Sequence, residues 1–335
     1  MNTVFLNNKN ILVTGATGLI GSNLVEALLR SNAAQIFITG RNLSKLKNTF
    51  GEFQNDYRLF LIEHDASTPI PESIKNIDYI FHAAGPMERE IILNKPINVI
   101  FPNIIGIINL LNLLHNQFEE TGKQGRIVVF SSVTVYNNLT NENISVKETD
   151  TQIADSLDSP TSCYSESKRM TEVIAKSHFK QYNTDIIIAR FSTVYGYTKN
   201  IPNTAFYEFI KKAIAGDNII LNGNNFPKRD NIYIDDAISG LLTIAEKGKA
   251  GESYNISSNG DNHNFASVDE IATIIAEQTS LLTGNPKVEV NVKDSTQRKP
   301  GIMLDNSKLK ALGWSTKWNL HKAISTTISK ILNNV

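Results

Sequence analysis

Cysteine is nearly missing from this chain: Cys163 is the only one in 335 residues. A single thiol excludes a disulfide framework and a cysteine-based metal site, and no metal-ligand set is read elsewhere. An excess of either charge is missing as well. Lys plus Arg and Asp plus Glu number 33 each, for a formal net charge of zero. That removes the basic footprint expected of a protein that binds DNA, RNA or an anionic membrane, although a local basic pocket for a diphosphate stays compatible. The N-terminus, MNTVFLNNKNILVTG, lacks a basic stretch followed by an apolar run and a small-residue cleavage site. Nor is there an unbroken apolar span of about 20 residues. The most apolar segment, PINVIFPNIIGIINLLNLL (96–114), is interrupted by Pro102 and four asparagines and reads as a buried helix beginning near Asn103. These absences lead to the expectation of a soluble, cytoplasmic protein with no nucleic-acid or membrane partner.

What is present is alternation. NILVTG (10–15), QIFITG (35–40), YRLFLIEHD (57–65), IDYIFHAAG (77–85), RIVVFSS (126–132) and TDIIIARFS (184–192) read as strands. Helical patterns separate most of them, notably 21–31, 103–120 and 165–182. Apolar strands divided by helices imply a parallel sheet covered on both faces, and right-handed crossovers then give a doubly wound, Rossmann-type α/β lobe. After about residue 195 the pattern loosens into polar, glycine-bearing stretches and a helix at 267–282, where Ser267 and Glu270 make a capping box. The expected division is a dinucleotide-binding domain over 1–192, with 228–256 returning to it, and a smaller mixed α/β substrate lobe over 193–335.

VTGATGLIGSNL sets Gly15, Gly18 and Gly21 between the first strand and the first helix. Glycines there allow a tight turn and close approach to phosphate, and the helix N-terminus offers free N–H groups and a favourable dipole. The spacing G-x-x-G-x-x-G is one residue wider at the front than G-x-G-x-x-G. A purely structural glycine turn is the rival reading. Thr17, Leu19 and Ile20 complete the candidate cofactor loop. About 20 residues on, where an acid would hold the adenosine 2′-OH of NAD, the strand ends in Gly40 and Arg41. Loss of the carboxylate and gain of a guanidinium suit a 2′-phosphate, so NADP is favoured over NAD; a plain surface arginine is the alternative. Asp65 is a candidate for the adenine amino group, and Ala83, Ala84 and Gly85 for the wall along the cofactor.

CYSESKRMTE places Tyr164 and Lys168 four residues apart, on one face of a helix start. A phenol with an ordinary pKa near 10 is a poor base at neutral pH, and a nearby lysine cation should pull that value down. Ser132, 32 residues earlier, ends a parallel strand, the edge at which doubly wound sheets bind ligands. Its hydroxyl could hold a substrate oxygen while Tyr164 exchanges that oxygen's proton. Y-x-x-x-K alone is common by chance; the order glycine loop, Ser, Tyr, Lys is much more specific.

TGATGLIG, FHAAG, SSVTVY, YSESK, RDNIYIDD (229–236) and RKPGIMLDNSKLKALGW (298–314) together resemble an extended short-chain dehydrogenase/reductase of the nucleotide-sugar epimerase/dehydratase family. The resemblance runs over nearly the whole chain. It implies a Rossmann lobe, a sugar-nucleotide lobe, a nucleotide-diphosphate sugar as substrate, and a homodimer formed through helices at about 103–120 and 165–182. Ser132, Tyr164 and Lys168 fall on that family's catalytic triad, with Tyr164 and Lys168 also beside the cofactor and Lys168 on the nicotinamide ribose. Arg229 and Arg298 fall where the family grips a diphosphate; without the resemblance each reads as a solvated charge. Asn103 falls where the family often has a sugar- or cofactor-side polar residue.

Three departures narrow the chemistry. Val133 and Thr134 stand where the family's 4,6-dehydratases carry an acid pair, and its uronic-acid decarboxylases keep a glutamate in the second place. Neither residue is a general acid or base near neutral pH, which leaves Thr134 as a substrate contact only. Thr193 replaces a substrate-binding Asn, and Tyr197 a Pro. The Gly40–Arg41 pair departs from the many members that hold NAD. The expected function is therefore NAD(P)-dependent redox at the sugar's C4, favoured as NADPH-dependent 4-keto reduction, with 4-epimerisation next. Dehydration or decarboxylation would need another acid such as Glu166, which reads better as a solvated first-turn acid. A non-catalytic dinucleotide sensor is the alternative from another class.

Overall fold

Apolar runs bounded by Gly, Asn, Asp and Ser become strands in the computed structural model, which describes residues 3–136, 142–150, 153–222, 226–293 and 300–333. In chain order the strands are β1 (Asn10–Thr14), β2 (Gln35–Gly40), β3 (Leu59–Glu63), β4 (Tyr79–His82), β5 (Arg126–Ser132), β6 (Ile144–Val146), β7 (Asp185–Phe191) and β8 (Thr193–Tyr195). They continue with β9 (Ile219–Asn222), β10 (Arg229–Tyr233), β11 (Ser253–Ile256), β12 (Phe265–Ala266), β13 (Val290–Lys293) and β14 (Ile302–Leu304). The helices are α1 (Leu19–Leu29), α2 (Leu43–Thr49), α3 (Arg89–Asn94), α4 (Ile97–Thr121), α5 (Ser162–Tyr182), α6 (Ala205–Ala215), α7 (Ile234–Lys247), α8 (Val268–Thr283), α9 (Ser307–Lys310) and α10 (Leu320–Leu332).

Seven strands form one parallel sheet in the order β11-β7-β5-β4-β1-β2-β3. The order reverses between β4 and β1, and that crevice at the strands' C-terminal ends is where a doubly wound sheet takes its ligand. Alternation within each strand feeds two cores. Ile11, Val13, Val128, Phe130 and Ile187 pack toward Leu24 and Leu28 of α1 and Ile238 and Leu241 of α7. Leu12, Ile80, Ile127, Val129 and Ile186 face Ile107, Leu110, Leu111 and Leu114 of α4 and Ala175 of α5. Each such buried side chain contributes about 1.5–3 kcal/mol. The doubly wound expectation is met.

The smaller part holds a mixed sheet, β12-β10-β14-β6 with β8 beside β10, and a parallel β9–β13 pair. Helices α6, α8 and α10 cover it. The capping box is formed: Glu270 accepts the Ser267 N–H at 2.8 Å, and the Ser267 side chain receives the Glu270 amide.

Several boundaries shift by a few residues, the long helix's the most. The long helix starts at Ile97 rather than near Asn103 and carries Pro102 inside it. Proline there removes only the bond to the carbonyl of Asn98, and Asn98 is exposed, so water can replace it. By length and composition α4 could cross a membrane; here nine of its residues are buried within the protein.

Candidate functional site

The three glycines after β1 have three different jobs. Gly15 has φ +67°, and a Cβ on it would lie 2.7 Å from the Ala84 amide. A Cβ on Gly21 would meet the Gly15 carbonyl oxygen at 2.4 Å. Those two let β1, β4 and α1 converge. Gly18 is exposed, has negative φ, and a Cβ there would meet only the Gly15 oxygen at 3.5 Å. It stands at the N-terminus of α1, open to an anion as the dipole argument requires. Thr17 and Leu19 give their carbonyls to Asn200 Nδ2 at 3.3 Å and Asn23 Nδ2 at 2.9 Å, while Ile20 packs on the first core. The segment after β8 therefore buttresses the loop: Asn23 also donates to the Tyr197 carbonyl at 3.0 Å.

Thr14 and His82 form the floor beneath it. Thr14 Oγ1 lies 2.8 Å from His82 Nδ1 and accepts the Ala84 N–H at 3.3 Å. Burial, with the charge of Lys168, pushes His82 down to about 3, so the imidazole is neutral. Ala83 and Ala84 are half-buried against Gly15. Gly85 is tighter still: a Cβ there would fall 2.7 Å from Asn103 Oδ1 and 3.3 Å from Lys168 Nζ. Asn103 is buried, its amide donating to Val99 O and Ser167 Oγ at 3.0 and 2.9 Å, while its Oδ1 has no partner. A buried acceptor without a donor costs about 1–3 kcal/mol. That orphaned oxygen, beside a lysine and behind a side-chain-free residue, fits a ribose hydroxyl, and the glycine loop fits a pyrophosphate.

At the far end of the crevice Gly40 presents no side chain and Arg41 is exposed. Asn42 caps α2, accepting the Lys45 N–H at 2.7 Å. Glu63, paired with Gly40 in the sheet, accepts the Leu43 N–H at 3.1 Å. Burial raises the Asp65 carboxyl, but bonds from the Ser67 hydroxyl and amide, with the charge of Arg41, hold it below the usual range. Ser67 occupies Asp65 Oδ1 at 2.6 and 2.9 Å.

The candidate reactive groups converge at the end of β5. Ser132 stands by the Tyr164 phenol and opposes the effect of burial on it, and its Oγ accepts the Thr134 N–H at 3.2 Å. Lys168 Nζ donates to the Phe130 carbonyl at 2.8 Å and stands 6.0 Å from the Tyr164 ring centroid. Burial lowers Lys168 to about 8 against the pull of Glu172. The Tyr164 pKa departs from expectation: burial raises it, with Ser132 opposing. The lysine, 6.0 Å from the ring centroid, does not outweigh this burial.

Neither residue that follows Ser132 is an acid. Val133 packs beside Val135, Tyr136, Val146 and Leu304, and Thr134 is exposed. Glu166 is committed, with Oε1 accepting the Asp155 N–H at 2.7 Å and Oε2 lying 3.3 Å from Arg169. Thr193 is half-buried in β8 opposite Asn231. Arg229 is exposed at the start of β10, its guanidinium unpaired among the described residues. Arg298 lies outside the described residues.

Sequence reading missed Glu172 and Arg190. Arg190 Nε and Nη2 clamp Glu172 at 2.9 and 2.7 Å, both side chains buried. Two signals were available. Glu172 continues the four-residue step from Tyr164 to Lys168, and Arg190 is a charge at the end of the apolar run DIIIA.

The family model described as "NAD dependent epimerase/dehydratase family" matches residues 11–257. The chain is 28% identical over 323 residues to UDP-glucuronic acid decarboxylase 6 of Arabidopsis thaliana, covering 96% of this chain and 88% of that one. It is 25% identical over 327 residues to dTDP-D-glucose 4,6-dehydratase of Homo sapiens, covering 96% and 89%. Among solved structures, UDP-glucuronic acid 4-epimerase from Bacillus cereus, in complex with UDP-glucuronic acid and NAD, superposes with a TM-score of 0.79. The two share 25% identity, covering 97% of this chain and 100% of that one.

Proposed function

The chain belongs to the NAD dependent epimerase/dehydratase family, and from that premise we propose that it is an NADPH-dependent 4-ketoreductase of nucleotide sugars. The observation that carries the reading is the end of β5. Ser132 stands by the Tyr164 phenol there, opposing the effect of burial on it, while Val133 is apolar, Thr134 exposed and Glu166 engaged elsewhere. Such a site can move one proton on and off one oxygen; neither Val133, Thr134 nor the engaged Glu166 offers it a second acid for eliminating water.

In this reading Ser132 holds the C4 oxygen and Tyr164 gives it a proton. Burial keeps the phenol protonated, the state in which it donates. The ammonium of Lys168, beside the ring, steadies the phenolate left behind. Gly15, Gly18 and Gly21 take the pyrophosphate, and Asn103 Oδ1 with Lys168 takes the ribose nearest the reacting carbon. When bound, the dinucleotide supplies the hydride. NADP is favoured because Gly40 offers no carboxylate to the adenosine ribose and the exposed Arg41 can fork onto a 2′-phosphate.

The second reading is C4 epimerisation, supported by the likeness to the Bacillus cereus UDP-glucuronic acid 4-epimerase at 25% identity over nearly all of both chains. It uses the same three residues and returns the hydride to the opposite face. A homodimer through α4 and α5 is part of the proposal. Ile97, Phe101 and Ile108 recur on one exposed face of α4, next to exposed Met170 and Val173 on α5.

The test is a panel of UDP-, dTDP-, GDP- and CDP-sugars and their 4-keto forms, each with NADH or NADPH. Oxidation of NADPH only with a 4-keto sugar supports the reductase. Interconversion of C4 epimers without net change in cofactor replaces it with the epimerase. Carbon dioxide from a UDP-uronate, or a 4-keto-6-deoxy product, overturns both. Cellular function that survives Tyr164→Phe points instead to a dinucleotide sensor.

A further inference from the structure

Three consecutive residues of β5 hold three successive positions on one face of α5. The Phe130 carbonyl accepts from Lys168 Nζ at 2.8 Å. Ser131 Oγ donates to Glu172 Oε1 at 2.5 Å. Ser132 stands by Tyr164, opposing the effect of burial on its phenol. Residues 164, 168 and 172 are four apart, so their side chains stack along the helix. The strand and helix are thus tied together by Lys168 and by one carboxylate that touches no reacting atom.

That carboxylate has a built partner. Arg190 is the register neighbour of Ser131 on β7 and grips both oxygens of Glu172. It also donates to Tyr136 OH at 2.5 Å and to the Glu148 carbonyl at 3.1 Å. Tyr136 OH in turn donates to Asn255 Oδ1 at 3.0 Å, and Asn255 is the neighbour of Arg190 on β11. Removing two charges from water is costly, and replacing such a pair by apolar residues is often neutral or better. Stability alone is a weak reason for an ion pair one helical turn beyond the lysine.

We infer that Glu172, clamped by Arg190, is a positioning residue for Lys168: its carboxylate keeps the lysine an ammonium beside Tyr164, and Arg190 limits that pull. The inference rests on the reading of Ser132, Tyr164 and Lys168 as the proton-transfer site. The other charged or titratable groups around the lysine are accounted for. From β4, His82 is neutral above about 3, and after β5 the Tyr136 phenol is pushed up to about 12, chiefly by burial. Glu148 is held through Oε1 by the Asn255 N–H at 2.7 Å. Lys176, the next turn of α5, donates to the Gly251 carbonyl.

The test follows the Lys168 titration in ¹³C-lysine-labelled protein by NMR, assigned with Lys168→Met, alongside the pH profile of turnover. Glu172→Gln leaves the Arg190 cation unneutralised, and the titration and the alkaline limb should both fall by about one pH unit. Arg190→Gln frees the carboxylate, and both should rise. Arg190→Lys keeps the charge and should leave the midpoint in place even if the fold is less stable. Should a single variant fail to fold, the neutral pair Glu172→Gln/Arg190→Met should place the midpoint between that of Glu172→Gln and that of the wild type. Shifts in the same direction for the two single variants, or none in folded protein, overturn the inference. If no sugar nucleotide is turned over, the functional reading fails while the NMR titration still decides this one.

Discussion

Gly85 and Asn103 stand so close that residue 85 has no room for a side chain: a Cβ would lie 2.7 Å from Asn103 Oδ1. The oxygen is buried and unpartnered, so a methyl group would push aside the one acceptor kept free there. Gly85→Ala should fold and bind dinucleotide about tenfold more weakly, the worth of one hydrogen bond to a polar ligand. Titration of bound NADPH fluorescence measures it.

The glycine loop separates folding from binding. Gly15→Ala forces an unfavourable backbone at φ +67° and a clash with Ala83 and Ala84, so its melting temperature should drop by several degrees, as a loss of about 1–3 kcal/mol implies. Gly18→Ala meets no backbone closer than 3.5 Å. Its melting temperature should stay near that of the wild type while dinucleotide affinity falls. Differential scanning calorimetry with and without NADPH distinguishes the two.

Arg41→Ser should weaken NADPH by about tenfold or more and leave NADH unchanged, since a charged hydrogen bond is worth about 1.5–3 kcal/mol. Equal losses for both cofactors, read from their dissociation constants, would return Arg41 to the status of a surface charge.

Lys168 carries a signed pH dependence. Its folded-state value of about 8 lies below the ordinary 10.5, so between those values the unfolded chain binds more protons. The lysine's contribution to stability is therefore fully present above pH 10.5 and is lost as pH falls through about 8. Urea unfolding of wild type against Lys168→Met at several pH values should show the wild type gaining on the variant as pH rises.

Phe101→Asp on α4 or Val173→Glu on α5 should convert a homodimer to monomers. Side chains that are 47% and 55% exposed here would otherwise be apolar surface facing water. Sedimentation velocity reads the outcome directly.

Some of this was legible in the order of residues. QIFITG and RIVVFSS became β2 and β5 to the residue, because an apolar run buried on both faces is cut off sharply by its polar flanks. The Ser–Tyr–Lys grouping was legible since strand ends and helix starts fix where such side chains go. The raised phenol of Tyr164 was not. Spacing shows that a lysine is near, but only packing shows that the phenol itself is buried deeply enough to outweigh it. Arg190 was hidden for the same reason: its meaning depends on Glu172 and Tyr136, 18 and 54 residues away. Pro102 misled because a rule about helix starts ignores how little one missing bond matters at an exposed first turn.

The place of β11 at the margin of the large sheet has a consequence for synthesis. Its residues, 253–256, pair with β7 at 185–191, so the sheet stays open until most of the 335-residue chain has left the ribosome. Until then β7 is a long, apolar, unpaired margin of the kind that recruits strands from other chains. A nascent chain halted near residue 192 would be expected to cling to chaperones, and release on synthesis of the β11 segment would mark the moment when the sheet is sealed.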